Sequence, residues 1–253
     1  MAGQVTSAAE ELAGLIRSSE RVVALTGAGV SVPSGIPDFR TPGKGLWAKV
    51  DPMAVATIDA FHRDTKRFWD FYRPRFHDLA DKEPNSAHEV LAELERRGLL
   101  EAVITQNIDR LHRKAGSEEV IEVHGSIATA SCTSCPASYP LEQVESLFDA
   151  DGIATCTGCA GKVKPDVVLF GEMLPAEAMA RADELCSAAD LLLCVGSSLE
   201  VYPVAGLPEV TLGQGGRIAI VTRSSTPYDG DAVVRLSGDV ADELQAVLAA
   251  LDG

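Results

Sequence analysis

Five times along this 253-residue chain a short apolar run ends abruptly in polar or glycine-rich residues. Val22-Val23-Ala24-Leu25 runs into Thr26-Gly27-Ala28-Gly29, and Ala102-Val103-Ile104-Thr105 into Gln106-Asn107-Ile108-Asp109. Val167-Val168-Leu169-Phe170 precedes Gly171, Leu191 to Val195 precedes Gly196-Ser197-Ser198, and Ile218-Ala219-Ile220-Val221 precedes Thr222. Unbroken apolar runs of this length have the pattern of strands buried on both faces. Amphipathic stretches lie between them. Ser7 and Glu10 form a capping box ahead of Leu12, Leu15 and Ile16. Ser86 and Glu89 form another ahead of Val90, Leu91 and Leu94, with Gly98 as the C′ residue. Ala176 to Ala189 is a further helical stretch. Buried strands alternating with amphipathic helices predict an α/β fold, a parallel sheet with helices on both faces. Ligands then bind beyond the carboxyl ends of the strands, where the polar residues collect.

Composition narrows the classes further. A 46% hydrophobic share supports a sizeable core, while 22 Lys+Arg against 37 Asp+Glu leaves a formal charge of -15. That field repels phosphate backbones, so no direct nucleic-acid partner is expected. No run approaches the roughly 18 apolar residues of a membrane span. Glu10 and Glu11 interrupt the N-terminal apolar residues, so no leader peptide is read and a cytoplasmic location is expected. Six cysteines are too few for a disulfide scaffold in a chain of this size and point instead to metal in a reducing compartment.

Cys132-Thr133-Ser134-Cys135 and Cys156-Thr157-Gly158-Cys159 are two C-x2-C knuckles separated by twenty residues. Each offers two thiolates from one tight turn, and together they complete a tetrahedral four-sulfur site suited to structural Zn2+. Cys186 and Cys194 lie in apolar surroundings and read as core residues. Residues 126–162 therefore form an inserted zinc-binding module. Residues 41–80, rich in aromatics, Pro and charge, form a helical insertion or a loop. Gly27-Ala28-Gly29 opens like a dinucleotide fingerprint, but the next glycine, Gly35, is misplaced. The acidic residue due about 20 positions on is also missing, which argues against a conventional NAD(P) dehydrogenase. Asp38, Phe39 and Arg40 place a carboxylate, a ring and a guanidinium past that turn. On the residues alone, His124 at the end of Val120-Ile121-Glu122-Val123 reads first as structural, and Gln106 to Asp109 as a cap leading to His112.

Together these motifs resemble the signature of the sirtuins, the NAD-dependent protein deacylases. The resemblance rests on Gly27-Ala28-Gly29-Val30-Ser31, Gly35-Ile36-Pro37-Asp38-Phe39-Arg40, Thr105-Gln106-Asn107-Ile108-Asp109 and His124-Gly125. The cysteine knuckles, Phe170-Gly171-Glu172 and Gly196-Ser197-Ser198 follow in the family's order, so the match runs from about Val22 to the C-terminal helix. It implies a Rossmann-like NAD-binding domain (residues 1–40, 81–125 and 163–253) plus a small domain made of the helical insertion and the zinc-binding module. NAD, a consumed co-substrate, and an acyl-lysine peptide would enter the cleft between them from opposite sides. The acyl oxygen would attack the ribose carbon bearing nicotinamide, and His124 would be the general base for a ribose hydroxyl. Free lysine and O-acyl-ADP-ribose would leave.

The resemblance also distributes roles. NAD contacts fall to Gly27, Ala28, Gly29, Ser31, Asp38, Phe39 and Arg40, then to Gln106, Asn107, Ile108 and Asp109, and finally to Gly196, Ser197, Ser198, Thr222 and Val240. Thr222 stands where the family usually carries Asn. Val168, Phe170, Gly171 and Tyr202 would pair with a substrate peptide by strand addition. Ala56, Tyr72 and Arg75 resemble the small residue and Tyr-x-x-Arg pair of the branch that removes succinyl and malonyl groups. Tyr72 follows Ala56 by sixteen residues, as in that branch. Pro74, between the pair, predicts a disturbed helical spacing. The expected activity is deacetylation together with desuccinylation or demalonylation of acylated-lysine proteins, by a monomer. Mono-ADP-ribosyl transfer and a non-catalytic zinc-ribbon binding module are the alternatives.

Overall fold

In the computed structural model, which describes residues 7–38 and 50–253, the described residues form a six-stranded, wholly parallel sheet. Its strands are β1 (Val22–Thr26), β2 (Ala102–Thr105), β3 (Val120–Glu122), β7 (Leu191–Val195), β8 (Arg217–Val221) and β9 (Ala232–Leu236). Across the sheet they run β3-β2-β1-β7-β8-β9. The two halves wind outward from the β1/β7 pair, which is therefore a topological switch point.

Burial on both faces explains the unbroken apolar runs. Val22 and Ala24 face one layer with α1 (Ala8–Ser18), α5 (Ser86–Arg96) and α10 (Val240–Asp252), which contribute Leu12, Leu91, Leu94 and Leu244. Val23 and Leu25 face the other, with α8 (Ala176–Ala188) and α9 (Leu207–Gly213), which contribute Leu185, Cys186 and Leu207. Successive strand side chains point to opposite faces, so both sets must be apolar. No helix among the described residues is long and apolar enough to cross a membrane.

Ser7 and Glu10 cap α1 as the sequence indicates. The cap of α5 differs. Its N-cap is Asn85 rather than Ser86, and His88, not Glu89, returns to the cap backbone. Asn85 is held there by tertiary bonds, its amide donating to Val30 O at 2.9 Å and to Ser34 Oγ at 2.9 Å.

The run Val167 to Phe170 is not a strand of the parallel sheet. It overlaps β6 (Val163–Val167), which pairs antiparallel with β4 (Gly125–Cys132), with β5 (Ser138–Pro140) on the other side of β4. The true sixth parallel strand, β9, alternates in burial because it lies at the sheet edge, and so presents no continuous apolar run.

The 41–80 segment contributes α2 (Pro52–Val55), α3 (Ile58–Arg63) and α4 (Thr65–Ala80) within its described part. Their Phe61, Phe68, Trp69 and Phe76 pack with Ile127, Leu147, Val163 and Val167 in a third core. Trp69 meets Phe148 edge-on at 5.1 Å between ring centroids and donates from Nε1 to Val163 O at 3.3 Å. The two insertions therefore share one interior. Pro74 does not break α4, contrary to the spacing argument. It sits on the exposed face, where water can take the carbonyl that its missing N–H leaves free, while the aromatic face stays packed.

Trp69→Ala should cost about 3–5 kcal/mol by opening a cavity in this shared core. Hydrogen exchange would show lost protection across 125–167 while the strands 191–195 and 217–221 stay protected.

Candidate functional site

Two glycine turns meet at the switch point. Gly27 N donates to Val195 O at 3.0 Å and Gly29 N to Gly196 O at 2.8 Å. A Cβ on Gly29 would lie 2.7 Å from Gly196 O, so this approach requires a bare backbone. The turn continues as a 3-10 helix over Ala28–Ser34. Because Gly27 and Gly29 use their N–H groups to lock the loops, Ala28 N–H is the one of the three without a partner among the described residues.

Beyond the ends of β1 and β2 lie buried Ser31, Asn107 and Asp109. Their protons can be ordered. Ser31 Oγ–H donates to Asp109 Oδ2 at 2.7 Å, and Asn107 Nδ2 donates to Ser31 Oγ at 3.1 Å and to Gly27 O at 3.2 Å. Asp109 Oδ1 accepts from Leu111 N at 3.0 Å, but the N-cap of the short helix Leu111–Lys114 that carries His112 is Arg110, so none of Gln106 to Asp109 is its cap. Gln106 Nε2 donates to Ser197 Oγ at 2.9 Å, tying β2's loop to β7's.

His124 lies between β3 and β4, half-buried, with Nδ1 2.9 Å from Gln106 O. A carbonyl only accepts, so Nδ1 carries the proton and Nε2 keeps its lone pair. Burial lowers the imidazole pKa below its ordinary value of 6.5, against the smaller opposing effect of the Gln106 bond. At neutral pH the ring is an uncharged base.

Two further histidines were not singled out by the motifs. His88 Nδ1 accepts from Asn85 N at 3.3 Å, which turns its Nε2–H toward Ser31 Oγ at 3.4 Å. His112 Nε2 lies 3.0 Å from Thr26 Oγ1, which donates to Thr105 Oγ1 at 2.8 Å. The two rings are 4.9 Å apart, and burial holds both below the usual histidine pKa. The available signal was His88 on the apolar stripe of α5, one residue after Ala87 and three before Leu91.

The segment after β6 reaches both His124 and the helical insertion. Val168 N donates to His124 O at 2.9 Å, while Phe170 N donates to Ala56 O at 2.9 Å and Ile58 N to Phe170 O at 3.0 Å. Buried Ala56 and exposed Phe170 are thus brought together, beside Gly171; Tyr202, 67% exposed, lies on the loop after β7. Tyr72 stacks on Phe76 with centroids 5.4 Å apart, and burial raises its hydroxyl pKa, with Arg75 opposing. Arg75 lies over the Phe71 ring at 3.6 Å and donates to Phe71 O, so its guanidinium is held by Phe71.

Ile108 O accepts from Ile127 N at 3.1 Å, joining the β2 loop to β4. Thr222 N donates to Leu236 O at 3.0 Å, and its Oγ1 is 3.4 Å from Ser224 Oγ. Val240 is buried at the start of α10. Asp38 and Ser198 lie on the loops after β1 and β7. Phe39 and Arg40 lie outside the described residues.

The four knuckle sulfurs lie within 4.8 Å of one another. Cys132 and Cys159 sulfurs are 3.5 Å apart, and those of Cys135 and Cys156 3.6 Å. Zn–S bonds of about 2.3 Å place tetrahedral sulfurs about 3.8 Å apart, whereas a disulfide requires about 2.05 Å. Backbone N–H groups of Ser134, Gly158 and Gly161 point at the sulfurs of Cys132, Cys156 and Cys159, and Tyr139 Oη donates to Cys156 Sγ at 3.1 Å. Such donors stabilise thiolates. The cluster fits a structural zinc with all four positions filled by protein.

A family model described as the Sir2 family matches residues 27–203. An NAD-dependent protein deacetylase of Caldivirga maquilingensis is 43% identical over 99% of this chain and 96% of its own length. A solved Sir2 variant, histidine to alanine, with a deacetylated p53 peptide and 3′-O-acetyl ADP-ribose, superposes with a TM-score of 0.91. It is 40% identical, over 95% of this chain and 97% of that one. A Sir2 complex with a p53 peptide and NAD+ superposes with a TM-score of 0.87 at 40% identity, covering 94% of this chain and 96% of that one.

Elemental analysis should find one zinc per chain, and stripping it with a strong chelator should lower the melting temperature and unfold 125–167 first. Cys135→Ser should reproduce both effects.

Proposed function

This chain belongs to the Sir2 family, and we propose that its reaction runs in the cleft beyond β1, β2 and β7 with His124 as general base. The chain is an NAD-dependent protein deacetylase whose partners are acylated-lysine peptides. The observation that carries the base assignment is the Nδ1–H bond of His124 to Gln106 O, which selects the tautomer with Nε2 free to take a proton.

The cleft's own residues suit the dinucleotide. Gly27 and Gly29 let the turn pack directly on the Gly196–Ser197 loop, and the Ala28 N–H is left to donate to a phosphate oxygen. Asn107 and Asp109 hold the nicotinamide-ribose end, with Ser31 fixing the Asp109 carboxylate through its own proton. Gly196, Ser197 and Ser198 hold the ribose side, and Thr222 and Val240 the adenosine end. When bound, NAD supplies the ribose carbon that the acyl oxygen attacks as nicotinamide leaves. His124 Nε2 accepts a ribose hydroxyl proton, and its lowered pKa keeps it ready to do so at neutral pH. Val168, Phe170, Gly171 and Tyr202 line the peptide's path.

The acyl range extends to dicarboxylate chains. Ala56 leaves room beside Phe170, and Tyr72 and Arg75 stand one turn apart on α4. The Tyr72 hydroxyl and the Arg75 guanidinium, swung from Phe71, would hold the distal carboxylate by charge-assisted bonds. One chain supplies every named group, so a monomer suffices. The six thiols, none in a disulfide, favour a reducing cytoplasm.

With acetyl-lysine peptide, the acid limb of kcat/KM should have its midpoint below pH 6.5, because the base is lost only as pH falls through its depressed pKa. His124→Ala should lower turnover by about 10²–10⁴ with zinc content unchanged, and undiminished turnover would remove the base assignment. Arg75→Met should lower kcat/KM for succinyl-lysine peptide by about 10–100-fold, against less than about twofold for acetyl-lysine. Equal losses on both peptides would dispose of the carboxylate clamp.

A further inference from the structure

We propose that the Lys164–Glu172 ion pair is a brace that presets residues 168–171 for pairing with the substrate peptide. The proposal rests on the reading that this segment forms a wall of the peptide channel. Lys164 lies on β6 with its side chain 16% exposed, and Glu172 follows Gly171 at 22% exposed.

The Lys164 ammonium has three donors and three acceptors around it. They are Glu172 Oε2 at 3.0 Å, Val167 O at 2.8 Å and Pro165 O at 3.0 Å. Glu172 Oε2 also accepts from Leu169 N at 2.8 Å, and Glu172 N donates to Leu169 O at 3.0 Å. One carboxylate oxygen therefore joins the cation on β6 to the backbone of the segment beyond it. Gly171, at φ 90°, makes the tight return that allows this.

The brace leaves part of this segment's backbone free. Val168 N is bonded to His124 O, Leu169 N and O to Glu172, and Phe170 N and O to Ala56 and Ile58. Among the described residues, Val168 C=O and both backbone groups of Gly171 remain for a guest strand. Without the cation, the half-buried carboxylate gains by turning to water, and Leu169 N–H loses its acceptor. Residues 169–172 then lose their fixed curvature. The Ser31, Asn107 and Asp109 cluster uses none of these bonds. Lys164 and Glu172 are thus positioning residues for the peptide and not for the dinucleotide.

The test is a split in steady-state constants, using the zinc-loaded full chain, acetyl-lysine peptide and NAD. Lys164→Met and Glu172→Gln should each raise the peptide KM about tenfold while leaving the NAD KM within about twofold and kcat within about threefold. Peptide affinity measured by fluorescence anisotropy should fall in parallel. Lys164→Arg, which keeps the charge, should restore the peptide KM to within about threefold of wild type. An unchanged peptide KM overturns the proposal, as does a fall in melting temperature with both KM values rising together, the mark of a merely structural pair. Wild-type chain that binds the peptide without turning it over would sink the deacylase reading instead, leaving the anisotropy series to judge the brace.

Discussion

The close passage of Gly29 against Gly196 is the constraint on which the cleft depends. β1 and β7 are neighbours in the sheet but lie about 170 residues apart in the chain, with register Thr26 opposite Val195. Their loops can cross at hydrogen-bond distance only because neither carries a side chain at the contact. From that crossing follow the bonds of Asn107 to Gly27 O and of Gln106 to Ser197. A side chain at either glycine would part the two halves of the doubly wound sheet where they must converge.

Around the crossing, the polar groups are buried and mutually satisfied, which gives each a defined proton. His88 donates toward Ser31, Ser31 donates to Asp109, and Asn107 donates to Ser31 and Gly27. An unmatched buried polar atom costs stability, so such a cluster either closes on itself or disrupts the core. One atom here is left out: His112 Nδ1 is buried without a partner among the described residues. Burial also keeps His88 and His112 uncharged, so their contribution to stability is present above the ordinary histidine value of 6.5 and lost as pH falls through their depressed values.

The second lobe is set by a different interaction, the packing of aromatic rings from the helical insertion onto the strands that carry the cysteines. Cys132 and Cys156 of the four-sulfur cluster, which fits zinc, belong to that core, and Phe170 pairs with Ala56 and Ile58 beside it. Tyr72 belongs to the same aromatic stack, which positions it by packing, whereas the Arg75 guanidinium is held over the Phe71 ring.

Much of this was legible in the residues alone. A strand buried on both faces must be apolar throughout, and zinc needs two pairs of thiolates at knuckle spacing, so the parallel sheet and the metal module are written in local pattern. Capping Ser7 with Glu10 is likewise local. Other features are properties of approach, not of sequence neighbours. Val167 to Phe170 looks like one more buried strand, yet it bonds to His124, Ala56 and Ile58, which only the assembled lobes bring beside it. Asn85 displaces Ser86 as the cap because Val30 and Ser34 arrive from another element, and Pro74 is tolerated because it happens to face water. The tautomer of His124 was decided the same way, by a carbonyl eighteen residues away whose position depends on the sheet. Local pattern determines which segments become buried strands and which thiols gather. Hydrogen bonds between distant segments, made only after those strands pair, decide where protons sit and which backbone groups remain for a guest.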